Sequence, residues 1–209
     1  MGKKNPQQML PSSTLTFGAY NPMFKLLEQN KPTTIVDTKS EQHSSIPVLA
    51  YDTESYITEP DGKLIPQINN QRKCDYLIYC KNIPQTSFIE LKGANISTKK
   101  GYNPYDQIID TIAYLNSIAS LKDIVNSMTE KHAFIVSPRR QKIPKGVETK
   151  ERRLWQALIQ QSSLPKSLCP KASDIVHYVK VTPSDRYSDK NGQIICSSKF
   201  PIRFPFHHT

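Results

Sequence analysis

Lys73-Cys74-Asp75-Tyr76-Leu77-Ile78-Tyr79-Cys80 and Ser87-Phe88-Ile89-Glu90-Leu91-Lys92-Gly93 are two apolar runs rich in β-branched and aromatic residues, separated by Lys81-Asn82-Ile83-Pro84-Gln85-Thr86. That pattern predicts two adjacent antiparallel strands joined by a loop. Side chains alternate along a strand, so Phe88, Glu90 and Lys92 share one side while Ile89 and Leu91 share the other. A carboxylate and an ammonium therefore project together from an apolar strand. Asp75, at the start of the preceding strand, comes near Glu90 once the strands pair. Two carboxylates and a lysine are expected in one pocket.

The elements around this pair follow from periodicity and turn chemistry. Upstream, Pro22 to Gln29 predicts a short helix behind an Asn21 cap, and Ile46 to Ala50 is a short strand or the start of another helix. Tyr56-Ile57-Thr58 and Lys63-Leu64-Ile65 flank Glu59-Pro60-Asp61-Gly62, a hairpin turn signal. Downstream, Lys99-Lys100-Gly101 forms a basic loop beside the pocket, suited to phosphates or simply a solvated charge pair. Asn103 caps a helix with Pro104 at its first position and Asp106 three residues after the cap. Tyr105, Ile108, Ile109, Ile112, Leu115 and Ala119 give it a buried stripe. His132 to Ser137 is a compact strand ended by Pro138. Glu148 to Gln161 is a helix with Leu154, Trp155, Leu158 and Ile159 on its apolar side. Ile175 to Val181 and Gln193 to Cys196 flank Asp189-Lys190-Asn191-Gly192, which predicts a hairpin.

Composition bounds the protein. With 209 residues, 37% of them hydrophobic, one substantial core is expected. The first fifteen residues form a polar arm, and residues 16–209 form a single domain with its core over about 20–138 and an extension over 139–209. Twenty-eight Lys and Arg against eighteen Asp and Glu give a formal charge of +10, which favours a polyanionic partner. The densest positive region holds Arg139, Arg140, Lys142, Lys145, Lys150, Arg152 and Arg153, a candidate backbone-tracking surface for nucleic acid or a solvated loop and helix face. No run is long enough for a membrane span, and no signal peptide is visible. A cytoplasmic protein with no membrane association is expected. Cys74, Cys80, Cys169 and Cys196 have neither zinc-site nor disulfide spacing, and His177, His207 and His208 have no ligand spacing.

Asp75, then Glu90-Leu91-Lys92 at the end of a hydrophobic strand, resembles the PD-(D/E)xK nuclease superfamily of restriction, repair and phage-defence nucleases. Cys74 stands where the strict motif has proline. The predicted order of elements matches the αβββαβ core of that superfamily. The resemblance implies an α/β fold of the α+β mixed-sheet kind, restriction endonuclease-like, here with a C-terminal helix and β-hairpin extension. It implies a magnesium-dependent (Mg²⁺, with Mn²⁺ as substitute) nuclease, foremost a DNA endonuclease in restriction or phage defence. Asp75, Glu90 and the Leu91 carbonyl become metal ligands, Lys92 the residue that orients water, and Glu28 or Glu54 an accessory acid. It also implies DNA contacts by Gln107, with Lys99 and Lys100 nearby, and DNA as partner with RNA as the other polyanion. A homodimer or an activating protein is expected to limit toxicity. The alternative is a catalytically inactive nuclease-fold subunit that binds nucleic acid or a partner.

Overall fold

In the structure, a computed structural model, residues 24–36, 45–51, 54–60, 72–92, 96, 103–126, 129–137, 146–159, 168–181 and 194–207 are described. Their strands are β1 (Lys25–Leu26), β2 (Thr33–Val36), β3 (Ser45–Ala50), β4 (Ser55–Thr58), β5 (Tyr76–Cys80), β6 (Gln85–Leu91), β7 (Glu130–Ser137), β8 (Val176–Val181), β9 (Ile194–Cys196) and β10 (Ile202–Phe204). The α-helices are α1 (Pro104–Ser117), α2 (Glu148–Ile159) and the single turn α3 (Ala172–Ile175). A seven-stranded sheet runs β1-β4-β5-β6-β7-β8-β9, and a second sheet runs β10-β3-β2. The large sheet is mixed: antiparallel from β1 to β6, parallel from β6 to β9.

Period-two alternation sorts the core into two layers. Leu77 and Tyr79 of β5, Phe88 of β6, Ala133 and Ile135 of β7 and Val176 and Tyr178 of β8 pack with Tyr105, Ile108, Ile112 and Leu115 of α1 and Leu154 and Leu158 of α2. The odd-even partners Ile78, Cys80, Ile89, Leu91, Phe134, Val136 and Val179 pack instead against Ile46, Val48, Ile202 and Phe204 of the small sheet. Helices cover one face and the small sheet covers the other. All seven residues of β6 are buried, as befits the central strand of a sheet covered on both faces. Each fully buried Leu, Ile or Phe contributes about 1.5–3 kcal/mol relative to exposure.

α1 begins as its sequence dictates. The Asn103 side chain accepts from the Tyr105 N–H at 2.9 Å, satisfying one of the free donors of the first turn. The helix ends at Ser117, so Ala119 lies beyond the stripe and is exposed.

Two expectations fail. The helix expected over Pro22 to Gln29 is not formed by residues 24–29: Lys25 and Leu26 pair with Ile57 and Tyr56 as an edge strand, and Gln29 bridges Ala50. Phe24 and Leu27 explain it. Three positions apart they would share one side of a helix, but here Phe24 enters the helix-side core and Leu27 the opposite one, which an extended chain achieves and a helix cannot. The αβββαβ order thus lacks its first helix among the described residues, while β4, β5, β6, α1 and β7 follow in the expected sequence. The C-terminal hairpin is also overturned. β8 and β9 are parallel, with Val179 opposite Ile194 and Val181 opposite Cys196, so they are not the two arms of a hairpin. Asp189 to Gly192, like the second arm of the earlier hairpin, Lys63 to Ile65, and the arm over residues 1–15, lies outside the described residues. Ile46 to Ala50 resolves as strand β3.

Candidate active site

Asp75, Glu90 and Lys92 are brought together on the helix-covered face. Tyr76 is opposite Ile89 in the antiparallel register, which sets Asp75 across from Glu90. The β5–β6 ladder ends there, and the Leu91 N–H donates to Asp75 Oδ2 at 2.7 Å instead of to a strand carbonyl. The next residue's N–H turns the other way, from Lys92 to the Val136 carbonyl of β7 at 2.9 Å. The N–H and C=O of one strand residue point toward the same neighbour, so the Leu91 carbonyl lies on the Asp75 side.

Glu90 is 1% exposed. Its Oε1 accepts a hydrogen bond from the Lys92 ammonium, while Oε2 is buried with no partner. Burial holds the Glu90 carboxyl well above the ordinary carboxylate range, the Asp75 charge raises it further, and Lys92 opposes both in part. Two carboxylates facing each other in a buried site repel when both are ionised. Lys92 Nζ also donates to Gln107 Oε1 at 2.7 Å, and Gln107 Nε2 donates to the Lys73 carbonyl at 3.0 Å. Both ends of the Gln107 amide are therefore engaged within the protein. The Cys74 thiol, buried beside the two acids, is pushed up by burial and by the Glu90 charge, which keeps it neutral.

The accessory acids are not in this pocket. Glu54 precedes β4 and pairs with Lys81 at 3.1 Å, at the Cys80 end of β5. The pocket is at the Tyr76 end, about 16 Å away at a strand rise of about 3.3 Å per residue. Glu28 pairs with Lys31 at 2.7 Å on the exposed sheet edge, next to the bond from the Leu27 N–H to the Ser55 carbonyl that fixes it at the same far end.

Of the expected basic surface, Arg152 and Arg153 are exposed on α2. Lys150 is not free for phosphate: it donates to Asp106 Oδ2 at 2.9 Å, as does Arg72. Arg72 also pairs with Asp110 at 3.1 Å. Burial raises the Asp110 carboxyl, with Arg72 and then, more weakly, Arg153 countering it. These ion pairs tie α2 and the segment before Asp75 to the first turns of α1. Lys99, Lys100, Arg139, Arg140, Lys142 and Lys145 lie outside the described residues.

Asp106 was read from the sequence only as part of the α1 cap, and Thr111 and Arg72 were given no role there. The signal that could have found them is on α1, where Asp106, Gln107, Asp110 and Thr111 place polar groups next to the apolar stripe. His177 is a core histidine, its Nε2 2.9 Å from Nδ1 of His132 on β7. A divalent cation needs hard oxygen donors. Asp75, Glu90 and the Leu91 carbonyl offer three. Among the described residues no three His, Cys, Asp or Glu side chains form a metal cluster, so a cation here would rest on two carboxylates and backbone oxygen. No helix among them is long and apolar enough to cross a membrane.

No family model matches the chain, and neither a curated protein nor a solved structure matches it. The resemblance to the PD-(D/E)xK nucleases rests on Asp75, Glu90 and Lys92 and on the succession of elements around them.

Proposed function

We propose that this chain is a magnesium-dependent nuclease that hydrolyses phosphodiester bonds, acting on DNA. One observation carries the reading: the Glu90 carboxylate, buried with a vacant oxygen, faces Asp75 and is bridged to Lys92. Such an arrangement is unfavourable for stability alone, because an unpaired buried acceptor costs about 1–3 kcal/mol. It becomes favourable when a cation or a proton sits between the acids.

Asp75, Glu90 and the Leu91 carbonyl are the groups that would hold the ion. Bound Mg²⁺ supplies neutralisation of phosphoryl charge and a water of lowered pKa. Lys92, held by Glu90 on one side and Gln107 on the other, keeps its ammonium at a fixed place, where it orients the attacking water and meets charge developing on the phosphoryl group. DNA as substrate is supported by the formal charge of +10 and by the exposed Arg152 and Arg153 on α2. A restriction or phage-defence role follows from the resemblance.

The test is cleavage of circular and linear DNA with Mg²⁺ or EDTA by the wild type, Glu90→Ala and Lys92→Ala. Cation-dependent cleavage lost in both variants is the expected result. Wild-type protein that binds DNA with steep salt dependence, yet cuts neither DNA nor RNA with any metal, makes the chain a nuclease-like binding subunit instead.

A further inference from the structure

Past Tyr76 the β5–β6 ladder gives no further strand pairing, yet the backbone of Lys73 and Cys74 is not loose. Its polar groups are taken up by consecutive turns of α1. The Lys73 carbonyl accepts from Gln107 Nε2 at 3.0 Å, and the Cys74 N–H donates to Thr111 Oγ1 at 2.9 Å. Arg72, one residue earlier, is anchored on Asp106 and Asp110. Gln107 and Thr111 are one helical turn apart and so present their side chains along one line. Thr111 is fully buried and uses its hydroxyl twice, donating to the Gln107 carbonyl at 2.8 Å while accepting from Cys74. Cys74 has no exposure, and a buried N–H must be paired. The strict motif has proline at this position, which carries no N–H. Cys74 brings one, and Thr111 is its acceptor.

We propose that Thr111, with Gln107, is a positioning residue that fixes the backbone at Lys73 and Cys74 so that Asp75 faces Glu90, and thereby sets the affinity of the acid pair for a divalent cation. The inference rests on Asp75 and Glu90 being cation ligands. Thr111 does not touch the ion or the substrate. It acts on the chain immediately before Asp75, whose Oδ2 accepts from the Leu91 N–H at 2.7 Å. Groups that orient metal ligands alter metal affinity by about 10–100-fold when removed.

The experiment is Mn²⁺ binding to the full chain, read by the loss of the free-ion paramagnetic resonance signal, for wild type, Thr111→Val, Thr111→Ser and Glu90→Gln. Thermal melts in metal-free buffer accompany it. Wild type binds and Glu90→Gln does not. Thr111→Val, which keeps the shape and loses the hydroxyl, binds about 10–100-fold more weakly while folded, and Thr111→Ser restores binding. A lowered melting temperature with unchanged Mn²⁺ affinity makes Thr111 a packing residue and overturns the proposal. Binding that survives Glu90→Gln overturns the cation reading itself. Should Thr111→Val fail to fold, amide exchange of the wild type decides. Residues 73–75 protected equally with and without Mn²⁺ support a segment set by α1; protection that appears only with Mn²⁺ means the ion orders it and the proposal is wrong.

Discussion

Glu90→Gln separates the stability of the apo protein from its chemistry. In the wild type the carboxyl is 1% exposed and is raised well above its usual value of 4.5 by burial and by Asp75. A raised carboxyl binds its proton more tightly when folded. Its contribution to stability is therefore fully present below 4.5 and is lost as pH rises through the folded value. At pH 8, above 4.5, that contribution is diminished, and without a cation the buried Glu90 oxygen that lacks a partner costs about 1–3 kcal/mol. The variant keeps an oxygen for Lys92 and gains an amide that donates toward Asp75. Lys92 also retains Gln107 at 2.7 Å, so breaking the ion pair costs less than removing the charge returns. For a chain of this size 1 kcal/mol moves the midpoint by about 3 °C, so metal-free Glu90→Gln melts about 3–9 °C above wild type at pH 8, with a smaller gap at pH 5. Added Mg²⁺ closes most of that gap or reverses it. At a hundred times its Kd the ion stabilises the wild type by about 2.7 kcal/mol, about 8 °C, and leaves the variant unmoved. Scanning calorimetry at both pH values, with EDTA or Mg²⁺, reads all four states. A metal-free variant less stable than wild type at pH 8, or equal stabilisation of both by Mg²⁺, refutes the reasoning.

Three further substitutions test hydrogen bonds elsewhere in the core. Tyr178 donates to Glu151 Oε2 at 2.6 Å, leaving Tyr105, 2.8 Å from the Tyr178 hydroxyl, to donate to Tyr178; burial raises the Tyr105 phenol to about 12 and the Tyr178 phenol further, so both phenols stay neutral at physiological pH. Tyr178→Phe strands both neighbours and costs about 1–3 kcal/mol, whereas Tyr105→Phe removes only the terminal donor and costs about 0.5–1.5 kcal/mol; urea denaturation checks the order. Gln85 clamps the C-terminal segment, accepting from the Phe206 N–H and donating to its carbonyl at 2.9 Å. Gln85→Leu is expected to speed amide exchange over Ile202 to Phe206 roughly tenfold to a hundredfold while leaving α1 unchanged.

Much of the pocket was legible because it depends on local signals. Alternation over β6 separated Phe88 and Glu90 from Ile89 and Leu91, and Asn103-Pro104 announced the start of α1. Pairing of β5 with β6 needed only a short loop. What failed depended on partners distant in sequence. Pro22 and the apolar pattern to Leu27 look helical until the two cores that Phe24 and Leu27 enter are known. Asn191-Gly192 is a strong hairpin signal, yet β9 pairs in parallel with β8 and buries Cys196 against the small-sheet side of the core. The small sheet joins β10 to β3 in parallel across most of the chain, and no local pattern encodes such a contact. The ion pairs of helix α1 were missed for a related reason: locally Asp106 reads as part of the helix cap, and only the tertiary structure brings Arg72 and Lys150 to it.

α1 explains why the pocket is at the end of β6 and not elsewhere along it. Where strands pair, ladder bonds satisfy the backbone and side chains need only pack. Accordingly Ile108, Ile112 and Leu115 of the helix are apolar and meet Phe88, Ala133 and Ile135. Beyond Tyr76 and Leu91 the ladder stops, and the backbone there needs partners of another kind. The first two turns of α1 return over that point because the chain leaves β6 to form the helix before returning as the parallel strand β7. At about 1.5 Å of rise per residue, the step from Asp106 to Thr111 spans about 7.5 Å, the reach of two residues of extended chain. That is the length of Arg72 to Cys74. The same helix is therefore a packing element at one end and a polar clamp at the other. Its clamping end holds Lys92 as well as the approach to Asp75, so the ammonium and the two carboxylates are fixed by one rigid body, as a site that works by prepositioned charge requires.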